Sequence, residues 1–454
     1  MTETRKSPFV WGAATSAFQI EGGAAKDGRA DSVWDVFCRS EGRIFEGGNA
    51  ETACRSYERF EEDVRLLKGL HVQAYRFSVS WPRVLPQGVG KVNEKGVQYY
   101  RALVQALRKN GIEPYVTLYH WDLPQALSLR GGLLNRDFAE WFAEYAAVVA
   151  EALGEGVQTY FTFNEPESIV GAGYALGAFA PGWAMGNDGA FPAQHNLLRA
   201  HGAACRVLRS LGKRVGIVAS GEAPYPAQES EELVEACRAR VFSAEKVWSM
   251  SNTFDPIFLG DYPADFYRLH ADAAKEYIRP GDLNAIAQPT DYCCQNHYNG
   301  FMLERAEGGV REAKRAPGYA RMATGWPIDE KGLYWTMRFL YERYKKPVMI
   351  TENGMSGLDI VSADGGVHDA PRIEYYRRYL GEVDRILRDG IDLRGYFAWS
   401  LLDNFEWASG YSQRFGLVYV DFETGRRIPK DSYAWYAEYI AGKTGKGETE
   451  CAEG

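Results

Sequence analysis

The chain has 454 residues and carries 52 Lys and Arg against 60 Asp and Glu, a formal net charge of −8. With no basic stripe to neutralise phosphates, this balance argues against a nucleic-acid partner, and no apolar run approaches the ~18 residues needed to cross a bilayer. The 7 cysteines (Cys38, Cys54, Cys205, Cys237, Cys293, Cys294 and Cys451) are scattered without CxxC spacing, which fits neither a disulfide framework nor a zinc site.

Read from the start, Met1–Pro8 is polar and runs into Phe9-Val10-Trp11 without an apolar signal-peptide core. That pattern predicts a cytoplasmic protein with reduced thiols. A first strand is predicted over Phe9–Ile20, followed by a helix over Arg55–Leu67. Then come strand Ala74–Ser80 and helix Glu94–Arg108, in which Val97, Tyr100, Leu103, Val104 and Leu107 recur at the spacing of one buried helical face. Strand Glu113–His120 and helix Phe138–Leu153 follow, then strand Thr159–Asn164 and helix His195–Leu211, then strand Val215–Ser220 and helix Glu231–Met250. The last three pairs are strand Tyr292–Tyr298 with helix Gly332–Tyr344, strand Val348–Glu352 with helix Arg372–Arg388, and strand Gly395–Ser400 with helix Ser432–Ile440.

Eight strands, each followed by a helix, spell a single (β/α)₈ TIM barrel of the α/β class over residues 1–454, with an ordered core of about 9–441. A doubly wound sheet would need a Gly-rich fingerprint after its first strand, and none is present. The extra length is placed in loops at Ile20–Ala53, Pro166–Pro192, Asn252–Pro289, Gly300–Pro327 and Asn404–Pro429. The segment 442–454 reads as a mobile tail.

The strands end on polar or aromatic groups: Gln19, Ser80, His120, Asn164-Glu165, Ser220, Asn296, Glu352 and Trp399. Any one of them could be a loop-edge group that meets only water. In a barrel, however, all the C-terminal strand ends face one mouth, where active sites lie. Two of these ends, Glu165 and Glu352, are carboxylates 187 positions apart. Facing carboxyls suit glycosidic bond cleavage, with retention at a gap of about 5–5.5 Å and inversion at about 6.5–9.5 Å. The aromatic content, 14% with 12 Trp and 28 Tyr, serves a large core or a sugar cleft equally well.

Five motifs carry a family resemblance: Gln19-Ile20-Glu21-Gly22, Arg76-Phe77-Ser78-Val79-Ser80-Trp81, His120-Trp121-Asp122-Leu123-Pro124, Thr162-Phe163-Asn164-Glu165-Pro166 and Ile350-Thr351-Glu352-Asn353-Gly354. In this order they resemble the family 1 glycoside hydrolases, the β-glucosidases. The resemblance implies a retaining mechanism with Glu165 as general acid/base and Glu352 as nucleophile. It implies that Gln19, His120, Asn164 and Glu406 hydrogen-bond the sugar, that Trp399 floors it with Trp407 beside it, and that Trp121 also belongs to the sugar site. Asn296 and Tyr298 match positions near the nucleophile, Arg76 a supporting partner of the carboxylates, and Trp326 a wall of the leaving-group side. No cofactor or metal is implied. The substrates expected are small β-glucosides or cello-oligosaccharides, hence a role in cellulose breakdown, with no nucleic-acid or membrane partner; the oligomeric state stays open.

The chemistry of these roles predicts a raised Glu165, to protonate the leaving oxygen, and a Glu352 kept ionised by Arg76 and Tyr298. Glu406 stands where family members acting on 6-phosphorylated sugars bind phosphate, and a carboxylate there favours a free 6-hydroxyl. Glu167-Ser168 stands where many relatives carry an aromatic or apolar residue, which leaves the leaving-group preference open, and His297 reads as structural. Three rivals remain: a metal-dependent barrel hydrolase, for which no H-x-H pair occurs among the 7 His; a non-catalytic sugar binder; and a transglycosidase with an acceptor site around Glu167, Trp183 and Trp326.

Overall fold

Eight parallel strands hydrogen-bond edge to edge and close on themselves, each beside its neighbours in the chain. They are β1 (Val10–Ala14), β2 (Ala74–Ser78), β3 (Glu113–Tyr119), β4 (Thr159–Asn164), β5 (Arg214–Ala219), β6 (Tyr292–Asn296), β7 (Val348–Asn353) and β8 (Leu393–Trp399). The structure, a computed structural model, describes residues 9–245 and 249–445. Closure is made by β1, which runs from Val10↔Gly395 to Ala14↔Trp399 against β8 and pairs Gly12↔Ala74 with β2. Helices α1 (Ser56–Gly69), α2 (Glu94–Lys109), α3 (Phe138–Leu153), α4 (Gly186–Ser210), α5 (Glu231–Val241), α6 (Lys331–Tyr344), α7 (Ala370–Arg388) and α8 (Asp431–Thr444) alternate with the strands. The expected (β/α)₈ barrel is the fold. With helices outside and side chains within, strands such as β2 and β4 are buried along their whole length, so they read as continuous apolar runs rather than alternating ones.

Aromatic rings fill the barrel axis. Tyr115 lies edge-on to Phe397 with centroids 5.3 Å apart and stacks on Phe161 at 6.1 Å. Room for these rings comes from two glycines: a Cβ on Gly12 would run into the Phe397 ring, and one on Gly216 would lie 2.8 Å from the Phe161 ring.

The structure departs from the predicted elements where local punctuation misleads. The first predicted strand stops at Ala14, and Ala17–Ile20 forms a helical turn that carries Gln19. Helix α4 begins nine residues before His195, at Gly186, and holds Pro192 within it. The predicted helix Glu231–Met250 ends at Val241. The loop expected over 252–289 is largely helical, with Met250–Phe258, Ala264–Leu269, Ala271–Tyr277 and Asp282–Ile286; Pro256, Pro263 and Gly281 lie in it, and such residues read as breaks although short helices accommodate or border on them. Pro166–Ser168 and a π-helix over Ile169–Ala175 occupy the start of the predicted loop Pro166–Pro192. Gly442–Thr444 complete α8 rather than opening a tail; the rest of that segment from 446 on, Cys451 included, and residues 1–8 lie outside the described residues. Above the barrel mouth, Pro224–Pro226 pairs with Phe301–Ala306, which pairs in turn with Gly309–Glu312.

Because Gly12 faces the Phe397 ring, Gly12→Ala is expected to destabilise the protein by about 1–3 kcal/mol through overpacking, read as a lower denaturation midpoint with an unchanged slope.

Candidate active site

At the C-terminal mouth of the barrel lies a cavity of about 490 Å³. Behind its lining stands the guanidinium of Arg76, a β2 residue that is 1% exposed. Arg76 Nε donates to Thr117 Oγ1 on β3 at 3.1 Å, Nη1 to Glu352 Oε1 at 2.7 Å and to Thr351 O on β7 at 3.2 Å, and Nη2 to Asn164 Oδ1 on β4 at 2.6 Å. Asn296, at the end of β6, donates its Nδ2 to the same Asn164 Oδ1 at 2.9 Å and to Glu165 Oε1 at 2.6 Å, while Thr351 Oγ1 holds its Oδ1 at 2.8 Å. One continuous hydrogen-bonded path therefore links the two carboxyls, from Glu352 through Arg76, Asn164 and Asn296 to Glu165. Each carboxyl has a second donor: Tyr298 OH gives to Glu352 Oε2 at 2.5 Å, and Ser168 Oγ to Glu165 Oε2 at 2.7 Å.

The walls are aromatic. His120 stacks on Trp399 and on Trp407 with centroids 5.9 and 6.0 Å apart, and Trp121 meets Trp407 at 4.5 Å. Trp121, Glu165 and Trp407 all have positive φ, of 80°, 52° and 51°. Non-glycine residues in that region are strained by about 1–3 kcal/mol each and gather at functional sites. Here the strain turns three side chains, two just beyond β3 and β4 and one in the loop after β8, into one cavity.

Ten of the sequence-predicted residues line the cavity: His120, Trp121, Asn164, Glu165, Tyr298, Trp326, Glu352, Trp399, Glu406 and Trp407. Gln19, Asn296 and Arg76 stand behind this lining. Gln19 Nε2 donates to Asn404 Oδ1 and Phe405 O at 2.9 Å and to Glu406 Oε2 at 3.3 Å, and so steadies the Glu406 segment. His297, read as structural, packs on Tyr379 outside the cavity. The acceptor grouping of Glu167, Trp183 and Trp326 does not form. Trp326 lines the mouth, Trp183 packs against Tyr174, and Glu167 is turned into the protein interior with no exposure. Its carboxyl finds hydrogen-bond donors there, which draws it inward. Glu222, Asn299 and Phe301, which the sequence reading did not single out, also line the cavity. None of them ends a barrel strand, so no strand-end rule could single them out. Among the described residues no group of three or more His, Cys, Asp or Glu is arranged to hold a metal, and no helix is long and apolar enough to cross a membrane.

Residues 1–445 match the family model described as glycosyl hydrolase family 1. The chain belongs to that family. It is 42% identical to β-glucosidase A of Thermotoga maritima over 442 residues, covering 95% of this chain and 96% of the relative. It is 39% identical to a bifunctional β-D-glucosidase/β-D-fucosidase of Bifidobacterium breve over 468 residues, with 97% and 99% covered. The solved structure of a β-glucosidase from Thermotoga maritima in complex with glucoimidazole superposes with a TM-score of 0.85 at 41% identity, covering 96% of this chain and 98% of that one.

The electrostatics of this family 1 site follow from burial. Burial pushes the Glu352 carboxyl up to about 7 against the pull of Arg76; the charge of Glu165 adds to the push and the Tyr298 hydroxyl opposes it. The sequence reading expected Glu352 to stay ionised; its depth works against that, since Glu352 is only 3% exposed. Two like charges in one pocket repel, and their partners decide which carboxyl keeps its charge. A guanidinium touches Glu352, whereas the donors on Glu165 are an amide and a hydroxyl. Burial and then Arg76 hold the His120 imidazole well below its usual range, so it is neutral. Its Nε2 accepts from Asn164 Nδ2 at 3.2 Å, which leaves Nδ1 as the protonated, unpartnered nitrogen.

Burial, with the charges of Glu352 and Glu165, pushes Glu406 up to about 8. Folding then favours its protonated form, a contribution fully present below about pH 4.5 and lost as pH rises through about 8. Glu406→Gln should therefore gain stability relative to the parent as pH rises between those values, measured as the difference in Tm between the two proteins at each pH.

Proposed function

We propose that the chain is a retaining β-glucosidase that removes the terminal β-D-glucosyl residue of small glycosides in two displacements, with Glu352 as nucleophile and Glu165 as acid/base. The observation that carries this reading is the hydrogen-bonded path from Glu352 through Arg76, Asn164 and Asn296 to Glu165. It holds two carboxyls in fixed relation across one sugar-sized cavity and gives them unlike partners.

In the first displacement a carboxylate oxygen of Glu352 attacks the anomeric carbon while the Glu165 proton passes to the departing oxygen. Arg76 favours the charged form of Glu352, the form that attacks. Once the ester has formed, the guanidinium has lost its counter-charge, which favours expulsion of the same carboxylate in the second step. Glu165 ends the first step ionised with Asn296 and Ser168 donating to its two oxygens, the arrangement a carboxylate wants before it takes a proton from water. Asn164 Oδ1 is held by Arg76 and Asn296, which turns its amide nitrogen toward the cavity side where His120 lies. A sugar 2-hydroxyl there gains a contact that strengthens as positive charge develops on the ring.

Trp399 and Trp407 offer flat faces to the pyranose, and Gln19 fixes Glu406 as a hydroxyl acceptor beside them. The names of the relatives, β-glucosidases and one β-glucosidase/β-fucosidase, support glucose with tolerance at the 4- and 6-positions, where D-fucose differs from it. On the leaving-group side, Trp326 and Phe301 supply apolar faces, and Ser220, Glu222 and Asn299 supply polar ones. That mixture suits a second sugar, hence cello-oligosaccharides as substrates and a role in cellulose breakdown. The free thiols of the described cysteines suit a reducing cytoplasm.

Glu352→Ala should abolish turnover, and azide should restore it by attacking from the vacated face to give the α-glucosyl azide; recovery of the β-azide instead would assign Glu352 to the acid/base role. Glu165→Gln should leave the dinitrophenyl glucoside reacting quickly in the glycosylation step while slowing alkyl glucosides by about 10²–10⁴-fold. Equal losses on both substrates would remove the general-acid assignment.

A further inference from the structure

Two residues past Glu165 the chain buries a carboxyl for which the reaction above has no use. Glu167 is 0% exposed. Its Oε1 accepts from the Thr253 hydroxyl at 2.5 Å and its Oε2 from the Ser220 N–H at 3.2 Å. Thr253 sits on the helix Met250–Phe258 and accepts in turn from Gln194 Nε2 on α4 at 3.3 Å. Ser220 is the first residue beyond β5, and its hydroxyl lies 3.5 Å from Ser168 Oγ, the group that donates to Glu165 Oε2 at 2.7 Å. One side chain thus braces the turn after β4 against the end of β5 and against a helix behind both, with Ser168 held in between.

An apolar residue would fill the same space without the cost of taking a carboxyl out of water, and no cation repays that cost among the partners named. What the carboxyl adds is direction: it binds two donors on two different elements at once. We propose that Glu167 is a positioning residue for the acid/base, fixing the start of the β5 loop so that Ser168 holds the Glu165 carboxyl toward the glycosidic oxygen. The inference rests on the assignment of Glu165 as the acid/base. The geometry gives it substance, because Glu165 has a left-handed backbone (φ 52°) and its carboxyl has two side-chain donors. Asn296 is pinned independently by Thr351. Among the described residues Ser168 has no such second anchor beyond its approach to Ser220. Burial pushes the Glu167 carboxyl up to about 8, with the charge of Glu165 adding to it. A glutamine amide keeps both elements joined by reversing one contact: its oxygen can take the Ser220 N–H, and its nitrogen can give to the Thr253 hydroxyl oxygen.

The experiment compares kcat/KM for 2,4-dinitrophenyl and ethyl β-glucosides in the full-length enzyme and in Glu167→Met, Glu167→Gln, Thr253→Val and Glu165→Ala. A small misplacement of a catalytic group costs up to about 100-fold. Glu167→Met is therefore expected to lose on the order of 10- to 100-fold on the ethyl glucoside and less than about threefold on the dinitrophenyl one, which needs no acid. Glu167→Gln should stay within about threefold of the parent on both, and Thr253→Val should show the Met pattern in weaker form. Equal losses on the two substrates, or no loss in Glu167→Met, overturn the positioning role. If Glu167→Met does not fold, the same ratio in Thr253→Val decides. A Glu165→Ala enzyme indifferent to the leaving group overturns the acid/base assignment and the positioning role with it. With that control intact, a flat response in the Glu167 and Thr253 variants overturns the positioning role alone.

Discussion

One buried cation organises this site. Arg76 lies near the barrel axis, where its guanidinium is withdrawn from water and depends on partners within the protein. It finds four of them on three other strands: Thr117 on β3, Asn164 on β4, and both Thr351 and Glu352 on β7. The guanidinium is planar and its donors have fixed directions, so these groups cannot shift independently. Below it, the ring of Phe161 lies 5.6 Å from the guanidinium carbon, and the aromatic layer built on Gly12 and Gly216 fixes that ring in turn. Packing at the barrel centre is thereby transmitted to the positions of the two carboxyls.

The carboxyls in and beside the pocket have unlike partners. Glu352 has the cation, Glu165 has neutral donors, Glu406 has the amide of Gln19, and Glu167 has a hydroxyl and a backbone amide. This unequal distribution gives similar side chains different chemistry. A group in contact with Arg76 is suited to carry charge. A group surrounded by neutral donors is suited to exchange a proton. The left-handed backbone at Trp121, Glu165 and Trp407 is a further cost borne at the mouth and supported by the barrel below.

Much of this was legible in the sequence, for identifiable reasons. Strands buried on both faces read as short apolar runs, so Thr159–Asn164 was bounded correctly, and α3 matches its predicted limits because its apolar face is unbroken. The strand-end rule, joined to the family resemblance, brought together ten residues that line the cavity. What was not legible depended on contacts between distant segments. The helices of 250–286 are short and bordered by proline and glycine, and tertiary packing makes them helical. Glu167 read as part of an acceptor surface because nothing local reveals that Ser220 and Thr253 wait for it in the interior. The balance of burial between Glu165 and Glu352 is likewise a property of depth in the fold, and residue order does not encode it in any simple pattern.

The small sheet above the mouth has a different character from the barrel. Its strands Pro224–Pro226 and Phe301–Ala306 leave the loops after β5 and β6, and the outer strand Gly309–Glu312 is exposed along its length. Phe301 from this sheet lines the cavity, whereas most of the other lining residues come from strand ends and from the segment around Glu406. The walls of the cavity therefore answer to different parts of the chain. In the proposed reaction, mutation in the appended sheet can remodel which alcohols are accepted while Glu165 and Glu352 stay as they are, so a lineage with this architecture can explore new glycosides without first giving up its chemistry.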